Sequence, residues 1–175
     1  MMRDIRALVE QDIYLIIDYF LQASPEFLNA MGADIKKLPD RTQWHRMILN
    51  DLKQPLHKKT FFYVIWEIDD IPVGHSNLNH ITFREDAYMH LHLWNTNQRQ
   101  QGNGLYFIRK SIIHYIKMFV LKKIYCEPYA YNPAPNKTLP KAGFRFIKQY
   151  ETTPGQINFH QTVNRWELSV VLLKN

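Results

Sequence analysis

A short glycine loop between a strand pattern and a helix pattern is the feature that most constrains how this chain folds. The loop covers residues 99–104, Arg-Gln-Gln-Gly-Asn-Gly, and a long helix pattern begins near Leu105. Two glycines spaced by one residue let the backbone turn tightly and approach a ligand without a Cβ atom in the way. The N–H groups at a helix start and the positive end of its dipole favour an anion. The loop therefore predicts a site for an anion such as a pyrophosphate, with a plain surface turn as the alternative.

Alternation before the loop and helical spacing after it define the two flanking elements. Residues 87–94 alternate in character, as expected for a strand with two different faces. One face carries Ala87, Met89, Leu91 and Leu93, and the other carries Tyr88, His90, His92 and Trp94. After the loop, apolar residues recur at spacings of three and four, which predicts a helix along Leu105, Ile108, Ile112, Ile116 and Phe119.

The rest of the chain supplies further strands and helices around this unit. The patterns predict strands near residues 4–8, 61–66, 71–78, 123–127, 144–148 and 165–171. They predict helices near 11–23, after Asp40, and over 132–142. The order indicates an α/β (α+β) protein with a mixed, mostly antiparallel sheet of about seven strands and about four helices. No repeat or linker interrupts the sequence, so we expect a single domain over residues 1–175.

Composition limits the classes of protein and of partner. The hydrophobic share of 46% and the aromatic share of 14% are typical of a globular chain. Cys126 is the single cysteine, so we expect no internal disulfide and a reducing, cytoplasmic setting. The sequence has no apolar signal-peptide core and no run long enough to span a membrane, so no membrane partner is expected. The net charge of +6 could serve nucleic acid, but the basic residues are scattered in pairs rather than in a block, and the same charge would favour a small polyanion. Charge alone does not choose between these two partners.

A second motif lies downstream of the loop. Asn132 is followed eleven residues later by Gly143-Phe144, with Leu139 and Lys141 between them. Together with the Arg-x-x-Gly-x-Gly loop after the fourth strand, this motif resembles the GCN5-related N-acetyltransferase (GNAT) superfamily. It is most similar to the branch of ribosomal-protein N-terminal acetyltransferases. The resemblance covers nearly the whole chain and implies the GNAT fold, in which the sheet splays between strands 4 and 5.

The resemblance implies that acetyl-CoA is the co-substrate and that an acetyl group passes to a primary amine by direct attack on the thioester. The pantetheine arm would pair with the splayed strand near Leu93 and Trp94 and accept a hydrogen bond from Asn132. Lys137 is a candidate for the phosphates, with a solvated helix lysine as the alternative. The loop would hold the pyrophosphate through Arg99, Gln101, Gly102, Asn103, Gly104 and Leu105.

The sequence offers two candidate catalytic bases and leaves the general acid unassigned. His92 lies on the polar face of the strand near the splay, and a neutral imidazole can accept a proton near pH 7. Glu127, at the end of the fifth strand, is the second candidate. The alternatives are that His92 packs against a helix and that Glu127 is a structural carboxylate. Many GNAT enzymes carry a tyrosine acid at the position that Leu139 occupies here.

A set of polar side chains on the third and fourth strands is the candidate acceptor pocket. His75 and Asn77 share one face of the third strand, and His90 lies beside them on the fourth. The wet face of an ordinary hairpin is the alternative. These histidines also suggest a zinc site, but no cysteine or carboxylate is placed to complete one, so no metal is expected.

The sequence therefore predicts an acetyl-CoA-dependent N-acetyltransferase whose acceptor is a protein N-terminus or a small amine. A small amine could be an antibiotic or a polyamine, although the basic composition argues against polyamines. A catalytically silent module of the same fold, binding coenzyme A or a partner protein, is the alternative. A basic nucleic-acid binder is a weaker hypothesis. The protein is expected to be a monomer or a homodimer.

Overall fold

The structure is a computed structural model that describes residues 1–94 and 101–170. Within these residues, strands of one sheet follow the order β1-β2-β3-β4-β5-β7-β6. Neighbouring strands are antiparallel except for β4 and β5, which run parallel. Their bounds are β1 Arg3–Ala7, β2 Phe62–Ile68, β3 Ile71–Thr82, β4 Asp86–Leu93, β5 Lys123–Cys126, β6 Arg145–Thr152 and β7 Gln161–Ser169. The predicted mixed, mostly antiparallel sheet is confirmed.

Helices cover both faces of this sheet. Within the described residues their bounds are α1 Ile13–Leu21, α2 Pro25–Ala30, α3 Arg41–Leu52, α4 Asn103–Phe119 and α5 Pro133–Thr138. The helix that sequence reasoning did not predict is α2. Ser24 caps it by accepting a hydrogen bond from the Phe27 N–H at 3.2 Å, and Pro25 takes its first position. A Ser-Pro pair can both end one helix and begin the next. The sequence pattern predicts the end of α1 but not the start of α2.

Helix α4 covers one face of the sheet. Its buried side carries Phe107, whose ring stacks on that of Trp66 at 5.3 Å. The indole N–H of Trp66 donates to Ser111 Oγ at 2.9 Å, so the only polar atom of that ring is satisfied in the core. Leu139 and Phe144 from the α5 region belong to the same cluster. The apolar spacing read from the sequence therefore marks the side of α4 that meets the sheet.

Helices α1 and α3 cover the opposite face. Their buried side chains surround Ile65 of β2 and include Ile13, Ile16, Ile17, Phe20, Trp44 and Ile48. Asp40 begins α3 by accepting a hydrogen bond from the Gln43 N–H at 2.8 Å, as its position before the helix pattern predicts. The face of the sheet under α1 and α3 is also the face that carries the polar residues of β3 and β4.

The sheet opens between its two parallel strands, as the fold prediction requires. β4 and β5 pair over three residues, from Asp86 opposite Lys123 to Tyr88 opposite Tyr125. β4 then continues to Leu93, and no described strand lies beside its last residues on the β5 side. The Cys126 thiol at the end of β5 donates to the Met89 carbonyl at 3.0 Å, which marks where the strands part.

The segment after β5 differs in length from its prediction. The expected helix over 132–142 ends at Thr138, and a 3₁₀ turn follows over Pro140–Ala142. Pro140 lacks the N–H that would continue the helix. Gly143 then takes a φ of +100°, a left-handed conformation that glycine adopts without steric cost.

Candidate active site

A cleft of about 1040 Å³ lies on the sheet face that packs against α1 and α3. Residues of β3 and β4 form its floor, and Phe20 and Trp44 contribute from the two helices. Its far wall is the loop of residues 153–160 between β6 and β7, and it reaches Glu127 and Asn132 beyond the end of β5. The cleft therefore extends from the helices to the opening between β4 and β5.

The floor of the cleft carries polar side chains in matched cross-strand pairs. His75 lies directly opposite His92, and Asn77 lies opposite His90. Side chains directly opposite each other in an antiparallel pair share one face of the sheet. Two predictions drawn from strand alternation thus meet in one place: the acceptor residues His75, Asn77 and His90, and the candidate base His92.

His75 is fixed by two aromatic neighbours. Its ring stacks on that of His92 with 4.5 Å between centroids, and the Trp94 indole N–H donates to His75 Nδ1 at 2.8 Å. Because an indole nitrogen only donates, His75 Nδ1 is the acceptor and the neutral ring carries its proton on Nε2. Burial, with smaller contributions from His92 and His90, holds the pKa of His75 well below its ordinary value.

His90 and His92 are also held neutral. Burial, aided by the neighbouring His80, lowers the pKa of His90 to about 4. Burial, aided by His90, lowers the pKa of His92 to about 3. Within the described part of the chain, His90 Nε2, His92 Nδ1 and Asn79 Oδ1 have no hydrogen-bond partner. Buried polar atoms left in this state cost free energy unless water or a ligand satisfies them, which is typical of a binding site.

Glu127, the second candidate base, is engaged by two other residues. Its Oε1 accepts a hydrogen bond from Tyr150 Oη and another from Arg165 Nε at 2.5 Å. The Arg165 guanidinium also donates to Tyr88 Oη at 2.5 Å. Burial and the hydrogen bond to Glu127 raise the pKa of Tyr150 to about 12. Glu127 therefore lies at the rim of the cleft as part of an ion-paired network.

The open edge of β4 is directed toward the place where the two parallel strands part. The Trp94 N–H donates to Val73 of β3 at 2.9 Å, whereas the Met89 carbonyl faces Cys126 of β5. Peptide groups alternate in direction along a strand. The N–H and C=O groups of Leu91 therefore point, like the Met89 carbonyl, into the opening, where an extended ligand can hydrogen-bond to the backbone. The predicted pantetheine residues Leu93 and Trp94 lie at the end of β4, where the backbone and indole N–H groups of Trp94 are already engaged by Val73 and His75.

The glycine loop is described from Gln101 onward, and Arg99 lies outside the described residues. Gly102 has a φ of +76° and precedes α4, a conformation that favours glycine. Apart from its chain neighbours and its own helix, no described residue lies within 4 Å of a Cβ atom built on Gly102 or Gly104, so the described structure leaves space beside both glycines. Leu105 lies in the first turn of α4, where the N–H groups have no intrahelical carbonyl.

One predicted loop residue has a side chain that faces inward. Asn103 is fully buried, and its Oδ1 lies 3.5 Å from Arg3 Nη1 of β1. Any contact of this residue with a bound phosphate would therefore come from its backbone. Gln101 is exposed at the loop.

The predicted residues of α5 are close to the cleft in one case and remote in the other. Asn132 lines the cleft and caps α5, accepting a hydrogen bond from the Ala134 N–H at 3.3 Å. Lys137 is exposed on α5 and does not line the cleft. Leu139 is fully buried in the core that α4 covers, so this position has no proton donor.

Asn136 holds this region together, and sequence reasoning missed it. Its amide nitrogen donates to the carbonyls of Asn132 at 2.7 Å and Tyr129 at 3.0 Å. Its Oδ1 accepts from Asn164 Nδ2 at 2.9 Å and from Trp166 Nε1 at 3.0 Å. The motif counted from Asn132 gives no signal for Asn136, because its partners are backbone atoms and residues of β7 far along the chain.

A contact between two distant loops closes one end of the cleft. Asn158 Nδ2 and Gln161 Nε2 both donate to the Gly32 carbonyl at 2.8 Å, and the Asp34 N–H donates to the Ile157 carbonyl at 2.7 Å. Sequence reasoning treated residues 153–160 as a plain connection between strands. Residues 153–160 form a wall of the cleft because they contact the segment after α2, and local sequence patterns do not encode that contact.

The described residues contain neither a candidate metal site nor a candidate membrane span. Among residues 1–94 and 101–170, no three histidine, cysteine, aspartate or glutamate side chains are arranged to hold a metal ion. Over the same residues, no helix combines the length and apolar character needed to cross a membrane.

The fold matches solved N-acetyltransferases over nearly the whole chain. The ribosomal L7/L12 alpha-N-protein acetyltransferase RimL in complex with coenzyme A is 13% identical, with a TM-score of 0.77 over 97% of this chain and 94% of that one. The aminoglycoside acetyltransferase AAC(6')-Ib with coenzyme A is 15% identical, with a TM-score of 0.73 over 96% and 95%. Spermidine N-acetyltransferase from Vibrio cholerae, with coenzyme A and spermine, is 16% identical, with a TM-score of 0.74 over 99% and 98%.

No protein-family model matches the sequence, and no curated protein does. The structural matches are to GNAT acetyltransferases, so the fold inferred from the two sequence motifs is confirmed.

Proposed function

We propose that this protein is an N-acyltransferase that moves an acetyl group from acetyl-CoA to a primary amine. The observation that carries the proposal is the opening between β4 and β5, which joins the cleft on the histidine face. A thioester in the opening and an amine in the cleft would meet beside His92. The similar solved structures are acetyltransferases bound to coenzyme A, which supports the same reaction class.

The chain offers a backbone cradle for each part of the cofactor. At the start of α4, the open space beside Gly102 and Gly104 suits a pyrophosphate, because helix-start N–H groups and the helix dipole favour negative charge. Arg99, Gln101, Asn103 and Leu105 are proposed to complete this loop. Leu93, Trp94 and Asn132 are proposed to hold the pantetheine arm, and Lys137 a phosphate at the outer end. Bound acetyl-CoA would supply the thioester carbonyl that the amine attacks.

His92 is the proposed proton acceptor. Since burial lowers its pKa to about 3, its imidazole stays unprotonated throughout the neutral range and keeps a lone pair for the amine proton. A low pKa also makes it a weak base, so it accepts the proton only after the developing C–N bond has made the attacking nitrogen strongly acidic. Glu127 is the second candidate, acting through water, although Arg165 and Tyr150 already occupy its Oε1.

The leaving thiolate receives less help from side chains than in relatives with a tyrosine acid. Leu139 occupies that position and is fully buried. A thiol ionises near pH 8.5, so a thiolate can depart without full protonation at the moment of cleavage. This feature also supports the second candidate function, a module that binds coenzyme A or a partner protein without turnover.

The acceptor is proposed to be a small amine or a protein N-terminus, and His75, Asn77 and His90 are proposed to line its pocket. We further propose a cytoplasmic setting, where the buried free thiol of Cys126 persists. In that setting the protein would act as a monomer or a homodimer.

Thermal shift and thiol release together separate the two candidate functions. A ligand that binds the native state raises the melting temperature as its concentration exceeds the dissociation constant. The enzyme hypothesis predicts a shift with acetyl-CoA and thiol release with at least one amine of a peptide and small-amine panel. A shift without thiol release would support the silent module, and no shift with acetyl-CoA or coenzyme A would contradict both.

A further inference from the structure

The charges that line the cleft restrict which amines can enter it. Among the described residues of the lining, Glu127 carries the only carboxylate. Its side chain is 7% exposed, and Arg165 and Tyr150 already engage its Oε1. Residues 95–100 and 171–175, which the structure does not describe, contain neither aspartate nor glutamate in the sequence. The cleft therefore has no unpaired acidic side chain to offer a second or third ammonium group.

A lysine of the lining acts in the same direction, whereas Arg165 only balances the charge of Glu127. Lys59 lines the cleft and donates from Nζ to the carbonyls of Asp51 and Leu52, both at 2.9 Å. Arg165 lies behind Glu127, and its guanidinium carbon is 5.2 Å from the centroid of the Tyr125 ring. A polycation would leave water for a site where Lys59 repels it and the Arg165–Glu127 pair adds no net charge, and that transfer is unfavourable without free carboxylate partners.

The remaining lining is apolar, aromatic or neutral and polar. Phe20, Trp44, Phe61, Tyr63 and Met47 present rings and a thioether. The aromatic faces can attract one ammonium group, but this attraction is weaker than the loss of hydration when several charges are buried. The neutral histidines and asparagines of β3 and β4 include His90 Nε2, His92 Nδ1 and Asn79 Oδ1, which have no hydrogen-bond partner among the described residues. Asn79 Oδ1 accepts a hydrogen bond and each neutral imidazole nitrogen donates or accepts one, so these atoms suit a neutral amide or hydroxyl group of the acceptor.

We infer that the acceptor is a monoamine, in which the reacting nitrogen is the single cationic centre on an apolar or aromatic body with a neutral hydrogen-bonding group. This inference rests on the proposed function and narrows its substrate. An aromatic amine and the N-terminus of a peptide with apolar first residues share this chemistry. Aminoglycosides and polyamines, the acceptor classes of two of the similar solved structures, do not.

Calorimetric titration of the coenzyme A-saturated protein tests the inference independently of turnover. The monoamine set is tryptamine, phenylalaninamide and the amidated tripeptide Met-Phe-Ala, and the polycation set is spermidine and kanamycin. The tightest monoamine should bind at least tenfold more tightly than either polycation. Tryptamine or phenylalaninamide binding best would indicate a small acceptor, and the tripeptide binding best would indicate a protein N-terminus. Equal or tighter binding of spermidine or kanamycin, or no binding of any monoamine, would overturn the inference.

A charge-introducing variant and its matched control test the physical cause. Asn77→Asp places an isosteric carboxylate on the cleft floor and should tighten spermidine binding at least fivefold while weakening or leaving unchanged the binding of tryptamine. Asn50→Asp makes the same change at an exposed position of α3 and should alter neither. If Asn77→Asp does not favour spermidine, the charge argument is wrong.

Thiol release measured on the same samples keeps the two proposals apart. Tight monoamine binding without thiol release would leave the binding preference standing and reject the transferase function. Faster thiol release with spermidine than with any monoamine would support the transferase function and reject the acceptor class.

Discussion

His75 and His92 stack their imidazole rings 4.5 Å apart across β3 and β4, and both rings are kept neutral by burial. His75 is in turn fixed by the hydrogen bond from Trp94 at 2.8 Å. His92, the residue proposed to receive the acceptor proton, is therefore held by its contact with the His75 ring. Trp94 holds that ring in turn. Position and protonation state of His92 follow from the same packing.

The neutral histidines predict acid destabilisation. The folded-state pKa values of His90 and His92, about 4 and about 3, lie below the unfolded value near 6.5. The unfolded chain thus binds more protons, and the free energy of unfolding should fall as the pH falls through 6.5 toward 4. Urea unfolding across this range measures the slope. His92→Asn should flatten it, whereas His57→Asn, at an exposed residue, should leave it nearly unchanged. A flat profile for the native protein would refute the assignment of buried neutral rings.

The same pKa values predict the pH dependence of catalysis. Because His92 is unprotonated above about pH 4, kcat/KM should rise with pH as the acceptor amine loses its proton, with no inflection near 6.5 from this imidazole. His92→Ala should lower kcat about 100-fold and leave the KM for acetyl-CoA close to its original value. His57→Ala serves as the control. Full turnover in His92→Ala would show that another group accepts the proton.

The ion-paired network around Glu127 predicts that substitutions of two arginines will lower the free energy of unfolding by very different amounts. Arg165→Met removes the cation beside a carboxylate whose side chain is 7% exposed, which should cost about 3 kcal/mol of unfolding free energy. Arg145→Met makes the same change in an arginine whose side chain is 70% exposed and lies 3.6 Å from Glu167, and should cost less than about 1 kcal/mol. Chemical denaturation compares the two. Equal losses would mean that Glu127 does not depend on Arg165.

Asn136 lies outside both sequence motifs, but we expect its substitution to lower the stability and to raise the KM for acetyl-CoA. Asn136→Ala removes its hydrogen bonds to the carbonyls of Tyr129 and Asn132 and leaves Asn164 and Trp166 without their acceptor. The expected loss is about 2 kcal/mol of stability, with a raised KM for acetyl-CoA because Asn132 loses its support. Denaturation and thiol-release kinetics measure both effects, with Asn50→Ala on the exposed side of α3 as control. An unchanged KM would separate Asn136 from the cofactor site.

Local patterns were sufficient for most of the fold. The alternation of residues 87–94 and the apolar spacing after Leu105 correspond to β4 and to the buried side of α4, since each pattern reflects one face against the core. The short helix α2 was missed because its six residues are too few to show a period and its Ser-Pro start reads equally well as a helix end.

The site was predictable only where it lies on one element or in one motif. His75, Asn77, His90 and His92 could be placed on a common face because strand alternation fixes their direction. The pairing of Glu127 with Arg165 and Tyr150, and the contacts of Gly32 with Asn158 and Gln161, join residues far apart in sequence. Such contacts depend on the completed sheet order, which local patterns do not specify. The low pKa of His92 also depends on the burial that this packing creates.

We propose that the start of α4 binds the pyrophosphate of coenzyme A, and the Gly104→Glu variant tests this proposal. The new carboxylate would enter the open space beside Gly104 and repel the anion proposed to lie there. Ile113→Glu adds the same charge to the same helix at a residue that is 52% exposed, and serves as the matched control. Calorimetric titration with coenzyme A should give tight binding for the native protein and for Ile113→Glu, and at least a 100-fold loss for folded Gly104→Glu. Unchanged affinity in Gly104→Glu would contradict the claim.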